Sequence, residues 1–456
     1  MNLREHFKWL RQGSFVPSVG VLVGGTTFAQ IITLLALPAV TRLYDPSDFS
    51  ILAVYTSLLG IISVVACLRL DIAIPMPERN EDAANLLALA IVSSLFITTL
   101  STLAVWLSPQ QISRLVGQPK LQSYLWLLPV GIFLASTFSA LQYWAIRGKY
   151  FRLIARIRIN QSLAGSGTQI ALGWLSYTPL GLILGQILSC SAGIIGLSRR
   201  VIMQDIADLR AITRRDMYRL FRAYDRFPKY STFEALSNSA AVHFPVIMIA
   251  ALAIGPEAGF VMLAIRVMHA PMALIGSAVS QVYLSQAPDE YRAGRLGKFT
   301  AKIIDGLMRV GVGPIIFVGI IGPDTFALVF GKEWTRAGVL VAWMTPWFVM
   351  QFLSSPISMV MHVINRQRFM LGLTLFGLSL RAGSIGLAVF LLPSHISEIF
   401  SLSGAIFYFL CFYIFTNFAG VVNPAQLLIN KKNIIIVSSW TLFGLTFQYL
   451  LSRIIV

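Results

Sequence analysis

Carboxylates are scarce in this chain. Asp and Glu number 19 in 456 residues, against 36 Lys and Arg, and charged residues of both signs make up 12%; a soluble domain carries about 25%. Only Asp305 and Glu234 fall inside apolar runs. A carrier of cations or of protons alone would bury more acids, so that class is disfavoured. Cysteine is equally sparse: Cys67, Cys190 and Cys411 each sit in an apolar run, with no CxxC and no Cys/His cluster. That argues against a metal site or a disulfide framework, leaves the three thiols as small packing groups, and implies no cofactor. The period-2 alternation of barrel strands is also missing, which excludes a transmembrane β-barrel.

What is abundant is apolar length. Hydrophobic residues make up 56% of the chain, and its mean hydropathy is +0.73. Apolar runs long enough to cross a bilayer as helices recur from end to end. We expect thirteen, near 15–41, 47–68, 83–107, 121–146, 157–177, 179–198, 233–254, 257–286, 299–322, 338–364, 369–392, 398–420 and 434–452. The fold expected is therefore all-α, a polytopic membrane protein of 12–14 helices. The basic N-terminus has the look of a signal peptide, but the run after it is too long and lacks an A-x-A site, so it reads as a retained span. Leu3, Phe7 and Leu10 share a helical face, which fits a surface-lying segment over residues 1–13. Pro38, Pro129, Pro245, Pro271, Pro314, Pro346 and Pro356 fall within spans, where each removes an intrahelical hydrogen bond.

The stretch from Pro109 to Phe151 recurs from Pro323 to Phe369. In each, Pro stands eight residues before a Gly (Gly117, Gly331), then comes an apolar run with an internal Pro (Pro129, Pro346), a basic turn and a Phe. A fainter echo pairs Tyr44-Asp45-Pro46-Ser47 with Ile254-Gly255-Pro256-Glu257. Spans that repeat half a chain apart are a common transporter plan. We expect an N-terminal lobe over 1–198, a basic linker over 199–232, a C-terminal lobe over 233–420 and an extra span in 421–456, where 421–430 could instead be re-entrant.

Positive charge orients this map. With the N-terminus inside, inner segments hold 27 Lys and Arg and outer segments six. Such a bias is the mark of a cytoplasmic N-terminus. Inner segments contain 11 acids and outer segments six. Nearly all of the net +17 is therefore topological, and a nucleic-acid reading is not needed. The linker 199–232 reads as a surface helix with apolar and basic faces, anchored on the membrane or meeting an anionic headgroup.

Three arginines lie deep in spans: Arg266, Arg309 and Arg381. Each is about 13–18 Å along its helix. A central Arg costs about 2.5–3.5 kcal/mol to insert and so faces protein or a watery cavity. It also forks onto phosphate oxygens. Together with His269, three residues after Arg266, they are the candidate ligands for an anionic headgroup. Asp305 stands one turn before Arg309, so those two can simply pair. Asp305, Glu234 and His243 are candidate coupling or charge-pairing residues, although His243 and His362 read first as packing histidines. Arg69 and Asp71 read as a solvated rim. Gln142, Tyr143 and Trp144 close one span, and Asn160, Gln161, Ser162 and Gln169 line the next. Interhelical hydrogen bonding is the default role for these side chains. Gln142, Asn160 and Gln161 are also candidates for a glycan path.

The opening GGTTFAQIITLLALPAVTRLYDPSDFSILAVYTSLLGIISVVACLRLDIAIPMPERNEDAANLL resembles bacterial polysaccharide-biosynthesis membrane proteins. More closely, it is similar to the oligosaccharide flippases of the multidrug/oligosaccharidyl-lipid/polysaccharide exporter superfamily. GPEAGFVMLAIRVMHAPMALIGSAVSQVY and LVFGKEWTRAG resemble that family's second half, and the likeness runs from about residue 15 to 420. It implies two six-helix lobes related by a pseudo-twofold axis about a central cavity. The implied activity is flipping an undecaprenyl-pyrophosphate-linked oligosaccharide across the bacterial inner membrane by alternating access, for O-antigen (lipopolysaccharide) or exopolysaccharide. Membrane lipid and polysaccharide assembly proteins, a polymerase or chain-length regulator, are the implied partners. By position in the matching segment Arg266 is the family-like arginine.

Two other classes compete. An exporter of drugs or metabolites with the same fold is disfavoured by the basic interior. A membrane glycosyltransferase, polymerase or ligase needs catalytic acids or bases; the outer segments near 108–120 and 323–337 hold neither a carboxylate pair nor a Ser/His/Asp set. The chain therefore reads as a carrier and not an enzyme.

Overall fold

The computed structural model describes residues 15–364 and 366–455, with side chains described from Gly24 onward apart from a scattered set within 202–207, 270–285, 365–367 and 452–456. The expected surface segment at 1–13 lies outside the described residues. Each of the thirteen expected spans is occupied by a long helix: α1 (Phe15–Leu43), α2 (Pro46–Ala66), α3 (Asn80–Leu107), α4 (Leu127–Arg147), α5 (Phe151–Trp174), α6 (Leu180–Val201, broken at 192–193), α7 (Thr232–Leu252), α8 (Glu257–Arg292), α9 (Leu296–Phe330), α10 (Thr335–Ile357), α11 (Gln367–Leu391), α12 (Ile396–Phe418) and α13 (Lys431–Ile455). Among the described residues eleven helices are long and apolar enough to cross a membrane; α5 and α8 are outside that set. The architecture is that of a polytopic all-α membrane protein. Lipid supplies no hydrogen-bond partners, so a spanning backbone must satisfy itself, as a helix does.

The chain divides into two compact units, Met1–Tyr44 with Tyr55–Ser239, and Asp45–Val54 with Ala240–Val456. Helix α2 therefore begins in the second unit and ends in the first.

In the first unit, glycines bring helices together. A Cβ on Gly25 of α1 would lie 2.6 Å from the Ala155 Cβ of α5. A Cβ on Gly185 of α6 would lie 2.7 Å from the Gly165 carbonyl of α5. Small residues at such crossings are how membrane helices gain van der Waals contact. After α2 the chain turns through left-handed Leu68 (φ 49°) and Arg69 (φ 58°) into a short helix, Leu70–Ala73. This tucks Leu70 and Ile74 into a core with Leu86, Phe138 and Trp144. Asp71 goes with it. Against the expectation of a solvated rim it is buried, and Ser139 donates to its Oδ2 at 2.7 Å.

The basic segment after α6 folds into short helices, Ile206–Arg210 and Arg214–Ala223. Asn85 on α3 clamps their junction, donating to the Ala211 carbonyl (3.3 Å) and accepting from Thr213 N–H (3.0 Å). Thr213 caps the second helix, accepting from Asp216 N–H at 3.1 Å and donating to Asp216 Oδ2 at 2.7 Å. That hydroxyl bond, with Arg219 beside it, holds the exposed Asp216 carboxyl below its ordinary range. Arg219 also pairs with Asp82 at 2.6 Å.

In the second unit, Ser50 accepts from Gly259 N–H at 2.9 Å. The first turns of α2 and α8, which follow the two echoed motifs, thus meet within the second unit. Trp334 lies edge-on to Phe49 (4.7 Å) and Phe260 (6.0 Å). The two longer repeats share a local plan. Gly117 (φ 66°) and Gly331 (φ 109°) both take positive φ, each is followed by a 3-10 segment, and then by α4 or α10. They differ upstream, where Pro109 opens a separate short helix and Pro323 lies inside α9. Ahead of Pro314, α9 widens to a π-turn at Met308–Val312, which accommodates the donor that proline lacks. Residues 421–456 contribute one continuous long helix, α13, whose Trp440, Phe443 and Phe447 surround Phe317 of α9.

A Cβ on Gly259 would collide with the Pro46 backbone carbonyl, whereas one on Gly306 would meet nothing within 4 Å. Gly259→Ala is expected to cost about 1–3 kcal/mol of stability. Gly306→Ala is expected to be neutral or stabilising. Thermal unfolding of the detergent-solubilised chain distinguishes them, and equal midpoints would reject the packing argument.

Candidate functional site

Arg381 on α11 is buried, at 7% exposure, and its surroundings are aromatic. Its guanidinium carbon lies 5.1 Å from the Trp347 ring centre, 5.2 Å from Phe407 and 5.6 Å from Tyr408. Two glycines allow those rings in. A Cβ on Gly404 would lie 2.6 Å from Trp347 Cδ2, and one on Gly377 2.5 Å from Phe407 Cε2. Helices α10, α11 and α12 can therefore close around the cation.

Compensation is incomplete. Arg381 Nη1 donates to the Ala241 carbonyl at 3.4 Å. Nε and Nη2 make no close hydrogen bond, although the Tyr408 hydroxyl interacts with the guanidinium, and Trp347 Nε1 has no partner. No carboxylate pairs with Arg381 among the described residues. Cation–π contacts are worth up to about 2 kcal/mol when desolvated, against several kcal/mol to desolvate an ion. Three buried donors beside one positive charge have the chemistry to serve an anion with several acceptor oxygens.

The other expected ligands are placed differently. His269 stands edge-on to Phe348 at 5.2 Å, and Phe348 stacks on Trp347 at 5.2 Å. His269 is thus tied to Arg381 through two rings. Arg309 lies in the π-turn and pairs with Asp305 at 2.6 Å, both partners half-exposed. Arg266 is half-buried on α8, His243 is half-buried on α7, and Glu234 is exposed near its start. His362 is exposed and does not pack.

In the first unit a pocket of about 360 Å³ with a mixed polar and apolar lining includes Gln30 and Thr33 of α1, Gln142 of α4, and Arg158, Gln161 and Ser162 of α5. It brings Gln142 and Gln161 together, while Asn160 is exposed and lies outside it. Arg158 Nη2 donates to Gln142 Oε1 at 3.0 Å. Trp144 turns away to donate to Asp205 at 2.8 Å. Gln169 donates to the Leu182 carbonyl at 3.5 Å, a bond between α5 and α6.

A charge network escaped the sequence reading. Arg336 of α10 reaches Glu257 of α8 (2.9 Å) and Glu398 of α12 (2.6 Å), and Ser397 donates to Glu257 at 2.5 Å. All three charged residues begin their helices, so α8, α10 and α12 start at one end of the second unit, as alternating spans must. They are separated by 60 residues or more, and nothing local in the sequence couples them. Arg158 was also missed, taken only as one of the Lys and Arg of the inner segments; its i, i+3 step to Gln161 was the available signal.

A family model described as "Polysaccharide biosynthesis protein" matches residues 39–338. No curated protein matches the chain in sequence. Among solved structures it is similar to "Lipid II flippase MurJ, inward closed conformation", with a TM-score of 0.67 at 14% identity, covering 94% of this chain and 98% of that one. It is also similar to a MOP superfamily transporter from Pyrococcus furiosus (TM-score 0.54, 16% identity, 90% and 96% covered). A multidrug resistance MATE family transporter of the MOP superfamily in an inward-facing conformation gives 0.53 at 15% identity, with the same coverage. At these identities the likeness is one of fold.

Arg336→Gln would leave Glu257 and Glu398 facing each other in a mostly buried cluster. We expect a loss of about 3 kcal/mol, partly recovered in Arg336→Gln/Glu257→Gln. A double-mutant cycle on thermal unfolding measures this, and strictly additive losses would show the network to be uncoupled.

Proposed function

The chain belongs to the polysaccharide biosynthesis protein family, and from that premise we propose that it flips a polyprenyl-pyrophosphate-linked oligosaccharide across the bacterial cytoplasmic membrane. Alternating access is the mechanism, the N-terminus is cytoplasmic, and O-antigen or exopolysaccharide assembly is the pathway class. One observation carries this reading: Arg381 is a buried cation whose Nε and Nη2 donors, with Trp347 Nε1 beside them, make no close hydrogen bond. A pyrophosphate offers fixed charge and clustered oxygens to such a set. A solved structure of similar fold is named a lipid II flippase, so a lipid as cargo is in keeping with this reading.

Chemistry at the site is binding and release, with no bond made or broken. The anion's charge offsets the desolvation of Arg381 while it is bound, and water must do so once it leaves. A ligand shifts a conformational equilibrium only as far as its affinities for the two states differ. Helix α10 carries Trp347 between Pro346 and Pro356; each proline deletes an intrahelical donor, so this stretch can re-aim the cage. His269 completes the ring train. Arg266 and Arg309 are secondary ligands, with Asp305 released from Arg309 if the cargo binds there. Glu234 and His243 are the coupling candidates. A cationic drug as cargo fits poorly beside an unpaired guanidinium.

Replacing Arg381 tests the reading in cells whose only copy is the variant. Arg381→Ala is expected to lower surface glycan at least tenfold with the protein still in the membrane, and Arg381→Lys to restore part of it. Membrane content by immunoblot is the control. Full surface glycan with Arg381→Ala would sink the role assigned to this site.

A further inference from the structure

The pocket of the first unit differs in chemistry from the Arg381 cage. Its hydroxyls are committed: Ser162 Oγ donates to the Ala29 carbonyl at 2.7 Å, and Thr33 lies 2.8 Å from Ser162. Its amides are not. Gln161 is buried, at 3% exposure, yet neither Oε1 nor Nε2 has a partner, and Gln30 Oε1 also has none. An orphaned buried polar group costs about 1–3 kcal/mol, so Gln30 of α1 and Gln161 of α5, lining one pocket, suit a polyfunctional ligand. A carboxamide presents an acceptor and a donor side by side, the pattern that adjacent sugar hydroxyls satisfy.

Arg158 adds a single charge. Its guanidinium is oriented by Gln142 (3.0 Å) and rests over Phe138 at 5.8 Å. No carboxylate pairs with it among the described residues, and no second cation lines the pocket. One guanidinium among neutral amides matches a monoanion better than a pyrophosphate. At about 360 Å³ the pocket is near the lower end of ligand sites, about 300–1,000 Å³. That is room for a sugar residue or two, with Ile146 and Ile154 against the ring.

We infer that this pocket binds a sugar residue bearing one carboxylate, with Arg158 on the carboxylate and Gln161 and Gln30 on the hydroxyls. The inference rests on the flippase reading only in taking the sugar as part of the cargo.

The test is saturation-transfer NMR on the purified full chain in nanodiscs, with glucuronate, glucose and inorganic pyrophosphate as probes. Glucuronate is expected to give a signal at least threefold above glucose. Arg158→Gln should reduce it at least fivefold, Arg158→Lys should retain part of it, and Gln161→Leu should weaken both sugars. Equal signals for glucose and glucuronate would overturn the inference, as would full binding by Arg158→Gln or displacement of glucuronate by equimolar pyrophosphate. If Arg158→Gln fails to fold, the comparison of the three probes on the unaltered chain still decides. Surface glycan separates the two readings. A chain that supports export but never binds glucuronate overturns the pocket and leaves the flippase standing. One that binds glucuronate selectively but supports no export upholds the pocket and removes the flippase.

Discussion

A bilayer interior offers no hydrogen-bond partners, and nearly every feature of this chain answers that constraint. The backbone meets it with helices. Helices then need close approach, because lipid provides no hydrophobic drive between them. Hence Gly25 against Ala155 and Gly404 under Trp347. Side chains meet it by pairing, as Arg336 does with Glu257 and Glu398. Where much is satisfied, groups that are not stand out, and among them are Gln30 and Gln161 near Arg158 and the donors of Arg381 and Trp347.

The two units share a plan and diverge in chemistry. Gly117 and Gly331 make the same positive-φ turn before α4 and α10, so the repeated backbone is recognisable in both. The polar part of the first unit's pocket is mainly neutral, with Gln30, Gln142 and Gln161 around Arg158. The second unit concentrates charge and aromatic rings, with Arg381 in its cage and Arg336 between two acids. A duplicated scaffold can keep its turns, which the backbone dictates, while its inward side chains change.

Span positions were legible because hydrophobic length alone sets them. Their ends were less so: α4 begins at Leu127, the expected start at 121 falling in a 3-10 segment, and α5 begins at Phe151 because helix continues through Arg152, Arg156 and Arg158. Arg381 was legible from its depth, and the Asp305–Arg309 pair from its spacing. The aromatic cage was not, since Trp347, Arg381 and Tyr408 come from three helices. The same is true of the pocket, where Gln30 and Arg158 are more than a hundred residues apart. Which donors lack acceptors is a property of packing, and no periodicity encodes it.

Arg309 and Arg381 are compensated in different ways. Arg309 has a carboxylate one turn away at 2.6 Å. A fixed partner of that kind is present whether or not a ligand is, and competes with any anion that arrives. Arg381 has aromatic faces instead. These hold the guanidinium in place for about 0.5–2 kcal/mol without neutralising its charge, because a π-face carries no formal negative charge. The cost of desolvation is then only partly met by the chain, and under the proposed role the remainder would be offset by a bound anion. A carrier needs such an offset to be present in one state and lost in another. Rings on a proline-flanked helix can be moved aside more readily than a covalently tethered i, i+4 acid. The same reasoning applies to Arg158, held by an amide and a ring. In both units the chain orients a cation without neutralising it.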